Sequence, residues 1–156
     1  MRATVNGKSD PTTKQFMLFA VMLAWSGIVC SQADTPTGLW KTFSDRTGQP
    51  ESMVRIEERN GEFHGSVVKV LDREEYNPVC ERCEGELRNK PIVGMEILRG
   101  LRRTQGGYGG GTILDPDEGR IYSCAATLLD EGRRLEIRGY VGVPLLGRSQ
   151  IWVRAD

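Results

Sequence analysis

Met53-Val-Arg-Ile-Glu-Glu-Arg-Asn-Gly-Glu-Phe-His-Gly-Ser-Val-Val-Lys-Val70 decides how this chain folds. Asn60-Gly61 supplies two adjacent residues that tolerate positive φ, as a two-residue hairpin turn requires. The segments on either side, 53–58 and 62–70, read as its two strands. Working outward, the same punctuation recurs. Upstream, Thr35-Pro-Thr-Gly38 leads into a strand over 39–43, and Asp45-Arg-Thr-Gly-Gln-Pro50 joins that strand to the hairpin. Downstream lie apolar segments over 93–103, 108–114, 120–129, 134–141 and 148–154. The first of these is ambiguous between strand and helix, and its neighbours favour strand. Gly-rich or Asp/Gly turns separate most of them. Only 72–91 breaks the rhythm and reads as a long acidic loop.

Eight short strands joined mostly by tight turns, with no convincing helix, predict an all-β domain. Sequential hairpins favour an up-and-down antiparallel barrel, because closure removes the exposed edges that invite aggregation. A two-sheet sandwich is the alternative. Eight strands enclose either packed side chains or room for one small ligand.

The first 33 residues stand apart. Arg2, Lys8 and Lys14 precede an apolar run of 15 residues, 16–30, and Ser31-Gln32-Ala33 follows. Basic region, greasy core and small-x-small site form the pattern of a secretory signal peptide cut after Ala33. The run is shorter than the roughly 20 residues of a membrane-spanning helix. Val29 is too bulky for the position before a lipidated Cys30. The expected domains are therefore a helical signal peptide over 1–33 and one barrel over 34–156, exported to the periplasm or beyond the cell, with no stable membrane span after cleavage. Of the 21 basic and 21 acidic side chains, Arg2, Lys8, Lys14 and Asp10 fall in the leader, which leaves the remainder at a formal charge of −2. The charges are interspersed, which argues against nucleic acid as a partner.

Candidate chemistry is sparse. Cys80-x-x-Cys83 in an oxidising compartment is read first as a structural disulfide pinning the long loop. Zinc bound with Cys124 and His64 is a second possibility. A redox dithiol is disfavoured by the adjacent Glu81 and Glu84 and by the absence of a βαβ setting. Cys124 is expected as a buried free thiol. The cluster Gly106-Gly-Tyr-Gly-Gly-Gly111 lacks the Lys-Ser/Thr of a phosphate loop and is read as close backbone packing. Asp115-Pro-Asp-Glu-Gly119 lacks the alternating acids of a calcium loop and is read as a turn. His64 has no evident nucleophile beside it, so no enzyme and no cofactor is indicated. Strand alternation groups Arg138 with Tyr140, and Arg148 with Gln150 and Trp152. Were both faces to line the barrel, Arg138, Tyr140, Arg148 and Gln150 would form a polar ligand-binding cluster, with Glu96 as a counter-charge.

Four stretches, Gly38-Leu-Trp-Lys-Thr42, Pro91-Ile-Val-Gly-Met-Glu-Ile-Leu-Arg-Gly-Leu101, Gly110-Gly-Thr-Ile-Leu-Asp-Pro-Asp-Glu-Gly-Arg-Ile-Tyr122 and Arg138-Gly-Tyr-Val-Gly-Val-Pro-Leu-Leu-Gly-Arg-Ser-Gln-Ile-Trp152, resemble a bacterial family of exported proteins known as a domain of unknown function (DUF2147 type). The resemblance implies a lipocalin-like barrel and carries no established activity. Arg99 departs from it, where an aromatic residue is expected. Gly38 and Trp40 resemble the lipocalin opening, in which an indole plugs the closed end beneath a basic side chain from the last strand. Arg148 and Arg154 are the candidates for that side chain. Together these readings lead to an exported protein that binds a small amphipathic or anionic molecule. The alternative is a structural or interaction module of the cell envelope with a packed interior, its oligomeric state unspecified.

Overall fold

Asn60 and Gly61 take φ values of 55° and 79°, and the chain reverses through them. The computed structural model describes residues 35–71 and 78–156; the expected signal peptide lies outside the described residues. The hairpin joins β2 (Pro50–Arg59) to β3 (Glu62–Val70), with Arg59 opposite Glu62 and Ile56 opposite Gly65. Around it run β1 (Gly38–Phe43), β4 (Glu96–Thr104), β5 (Gly107–Asp115), β6 (Arg120–Leu129), β7 (Arg134–Tyr140) and β8 (Arg148–Arg154). Each strand pairs antiparallel with the next, and β1 pairs with β8, which closes the barrel. That seam is short: Trp40 faces Arg154 and Lys41 faces Val153. Helix is confined, among the described residues, to the single turns Gly85–Leu87 and Pro144–Leu146.

The ambiguous segment is a strand, but β4 starts at Glu96 instead of residue 93. Gly94 has φ 89°, and the Met95 amide donates to the Ile92 carbonyl at 3.0 Å, so Ile92 to Met95 form a turn. Within the expected long loop, residues 78–91 form a small hairpin. Val79 pairs with Pro91, the Cys80 amide donates to the Lys90 carbonyl at 2.9 Å, and Asn89 donates back to Cys80 at 2.8 Å. A disulfide joins Cys80 to Cys83 at the tip of this small hairpin.

Alternation along the strands sends one face of each inward, and the interior divides into two halves. Toward the β2–β3 turn it is solid: Trp40, Val54, Ile56, Leu98, Leu101 and Leu135 are almost wholly buried. Phe63 and Tyr108 meet edge to face, their ring centroids 5.1 Å apart. A Cβ placed on Gly65 would come within 3.0 Å of Leu98 Cβ and 3.2 Å of Val54 Cγ1, so this level has no spare volume.

Trp40 forms the floor of that half. Its indole donates to the Pro36 carbonyl at 2.8 Å, and the Arg154 guanidinium lies 4.3 Å from the ring centroid. The same guanidinium donates to the carbonyls of Gly132 (2.7 Å), Thr37 (2.8 Å) and Thr35 (3.0 Å). One side chain thus ties together the chain leading into β1, the β6–β7 turn and β8. Gly38 has φ 129°, and a Cβ there would sit 2.5 Å from the arginine nitrogen Nη1. Of the two candidate arginines, Arg154 is the one over Trp40; Arg148 lies at the opposite end of β8.

Candidate functional site: the open half of the barrel

In a meander, alternate connections gather at the same end. The β1–β2, β3–β4, β5–β6 and β7–β8 connections therefore surround the end opposite Trp40. Here the interior is hollow, with a cavity of about 860 Å³, within the range usual for small-molecule sites. Val67, Ile97, Leu114, Ile137 and Trp152 make its apolar wall. Each comes from the inward face of a strand, where alternating apolar residues seek burial.

Polar groups in the wall are mostly engaged with one another. The hydroxyls of Thr42 and Ser52 are 2.8 Å apart, and the Ser52 amide donates to Thr42 at 3.1 Å. Gln150 donates to the Phe43 carbonyl at 2.8 Å and accepts from the Trp152 indole at 2.5 Å. At the mouth, Asp115 Oδ1 accepts the amides of Asp117 (2.9 Å) and Glu118 (3.1 Å), which fixes the β5–β6 turn. Tyr122 donates its hydroxyl to Glu118, and that bond, with burial and the carboxylate's charge behind it, pushes the phenol above its ordinary pKa.

The disulfide hairpin packs beside this turn. Arg82 donates to the Asp117 carbonyl at 3.2 Å, and a Cβ on Gly119 would lie 2.1 Å from the Arg82 carbonyl oxygen. Gly119 also has φ 68°, so backbone conformation and close approach both call for glycine. The rim on the β7–β8 side is apolar: Val141, Leu145 and Leu146 are 72%, 86% and 78% exposed, and Val141 and Leu146 also line the cavity.

The candidate residues from the sequence separate. Arg148, Gln150 and Tyr140 line the cavity. Arg138 does not; its guanidinium donates to the Pro144 carbonyl (2.6 Å), Leu145 carbonyl (3.3 Å) and Ser149 hydroxyl (2.9 Å), and so braces the β7–β8 loop from outside. The register explains this correction to the expected face. Leu135 pairs with Trp152, Ile137 with Gln150 and Gly139 with Arg148, and paired residues share a side of the sheet. The inward partners of Arg148 and Gln150 are therefore odd-numbered on β7, which turns Arg138 out. Tyr140, the last residue of that strand, meets the cavity only at its rim.

Glu96 also lies outside, on the outer wall with Arg59 (2.5 Å), Arg99 (3.2 Å) and His64 (3.5 Å). Burial pushes its carboxyl up, but the Arg59 hydrogen bond and the charges of Arg59, His64 and Arg99 outweigh this and hold it below its ordinary value. Arg99 is thus an outer-wall residue and leaves the cavity wall unaltered. Zinc finds no cluster: Cys80 and Cys83 are bonded to each other, Cys124 is buried between β5 and β7, and no group of three or more His, Cys, Asp or Glu among the described residues is arranged for a metal. Thr42, Ser52, Asp45 and Asp115 also line the cavity, and no motif in the sequence marks them. Tyr122 was within reach, since it alternates with inward Cys124 and Ala126.

A meander barrel plugged by a tryptophan–arginine pair at one end and hollow at the other is lipocalin-like. The protein HP1028 from the human pathogen Helicobacter pylori, described as belonging to the lipocalin family, superposes with a TM-score of 0.69 over 78% of this chain and 84% of its own. The two are 22% identical, so the likeness is one of fold. Residues 38–154 match the bacterial family described as "Uncharacterized protein conserved in bacteria (DUF2147)", and the chain belongs to that family. No curated protein matches it in sequence.

Proposed function

We propose that this protein is an exported carrier or sensor that holds one small amphipathic molecule in the open half of its barrel. The cavity of about 860 Å³ carries the proposal. Its apolar wall suits a hydrocarbon or ring body, its charged mouth suits a polar head, and the exposed Val141 and Leu146 offer an apolar path inward. A fully packed interaction module would have no reason to keep this volume beside a solid lower half, since unfilled apolar space costs stability. Binding is favoured over catalysis because the wall polar groups are spent on one another and no activated nucleophile stands among them. Gln150 would act as a wall residue and Arg148 and Tyr140 as mouth residues.

Export is supported by the leader pattern over 1–33 and by a disulfide in a chain whose described residues contain no helix long and apolar enough to cross a membrane. Native mass spectrometry of protein isolated from its own host tests both parts. The expected spectrum shows a chain beginning at Asp34 with a bound small molecule that is lost on activation. A chain that retains its leader overturns export. A ligand-free protein that also takes up no apolar probe overturns binding.

A further inference from the structure

We infer that the cavity selects amphiphiles with a positively charged head, of the alkylammonium class. This rests on the binding proposal above and names the chemistry of its ligand. The wall is apolar and the Trp40 end is closed, so any polar head must lie at the mouth. Among the described lining residues the mouth carries Asp45, Glu51, Asp115, Asp117 and Glu118 against Arg46 and Arg148, a surplus of three negative charges.

Of the two lining arginines, only the exposed Arg46 stands outside an ion pair, against five lining carboxylates. Arg148 is already held between Asp45 (3.2 Å) and Asp115 (3.7 Å). Arg138 is turned away onto the β7–β8 loop. Displacing the Arg148 pairs would leave two carboxylates facing the incoming charge. A second, independent feature points the same way: Tyr122, Tyr140 and Trp152 all line the cavity, and aromatic faces attract alkylammonium groups. Carboxylates beside aromatic rings match a soft organic cation better than a fatty acid or phosphate ester.

The test uses three ligands with one tail: decyltrimethylammonium, decyl glucoside and decyl sulfate, each below its micelle concentration. They are titrated calorimetrically into the purified protein at low and high salt. The cation is expected to bind about fivefold or more tighter than the glucoside, with decyl sulfate weakest and the spread shrinking at high salt. In the double variant Asp117→Asn/Glu118→Gln the cation's advantage should fall while glucoside affinity stays. Should the glucoside bind while the sulfate equals or exceeds the cation, the charge preference is wrong and the cavity proposal survives. If none of the three binds, the cavity proposal falls and this inference with it.

Discussion

Replacing Arg154 with alanine removes the side chain that joins three parts of the closed end. The guanidinium lies 4.3 Å from the Trp40 centroid and donates to the Thr35, Thr37 and Gly132 carbonyls, and its side chain is only 15% exposed. A cation–π contact of this kind contributes about 0.5–2 kcal/mol. The three hydrogen bonds contribute roughly 1 kcal/mol each at most, because water replaces some of them at the half-buried Thr35 and Thr37. The Asp156 pair, half exposed at 3.6 Å, adds little. The sum is a loss of about 3 kcal/mol, or roughly 10 °C in Tm for a domain of this size. Urea unfolding followed by tryptophan fluorescence reads it. Arg154→Lys should fall between, since an ammonium keeps the charge but cannot span all three carbonyls. Arg148→Ala is the control, expected within about 1 kcal/mol of wild type because its ion pairs are exposed. An Arg154→Ala protein as stable as wild type would refute the view that this pair seals the barrel.

Reducing the disulfide, or Cys83→Ser, should cost about 2 kcal/mol by the loop-entropy relation for so short a ring, read by urea unfolding with and without reductant. Burial pushes the Cys124 thiol up to about 12, so it should resist alkylation at pH 8 in the folded protein and react once urea unfolds it. The folded pKa lies above the unfolded value of about 8.5; wild-type stability relative to Cys124→Ala should therefore hold below pH 8.5 and decline as pH rises toward 12. Gly119→Ala should destabilise by about 1–3 kcal/mol through its positive φ and its clash with the Arg82 carbonyl, and should speed proteolysis near Arg82.

Local chemistry made most of the fold legible. Asn60-Gly61 announced its hairpin, Asp115-Pro-Asp-Glu-Gly119 its turn, and Gly38 with Trp40 the plugged end. What escaped was set by partners distant in sequence. Arg138 and Arg148 both alternate with apolar neighbours, and only the pairing of Gly139 with Arg148 reveals that they occupy opposite sides of the sheet. The same holds for Glu96, whose three partners come from β2, β3 and β4. The small hairpin at 78–92 has the sequence of a loop, because its order comes from one bridge and a disulfide instead of from periodic apolar residues. Cavity size has no signature in a single chain, since it depends on how side chains from all eight strands meet.

Gly139 gives the sharpest probe of that cavity. A Cβ there would meet Tyr122 and Ile113 at ordinary contact distances of 3.5 and 3.6 Å, so a larger side chain can enter the cavity without breaking the strand. N-phenyl-1-naphthylamine fluorescence should titrate to one site per wild-type molecule, and Gly139→Leu should keep its Tm while binding about tenfold more weakly. Equal affinity in the two proteins would contradict a ligand site inside the barrel.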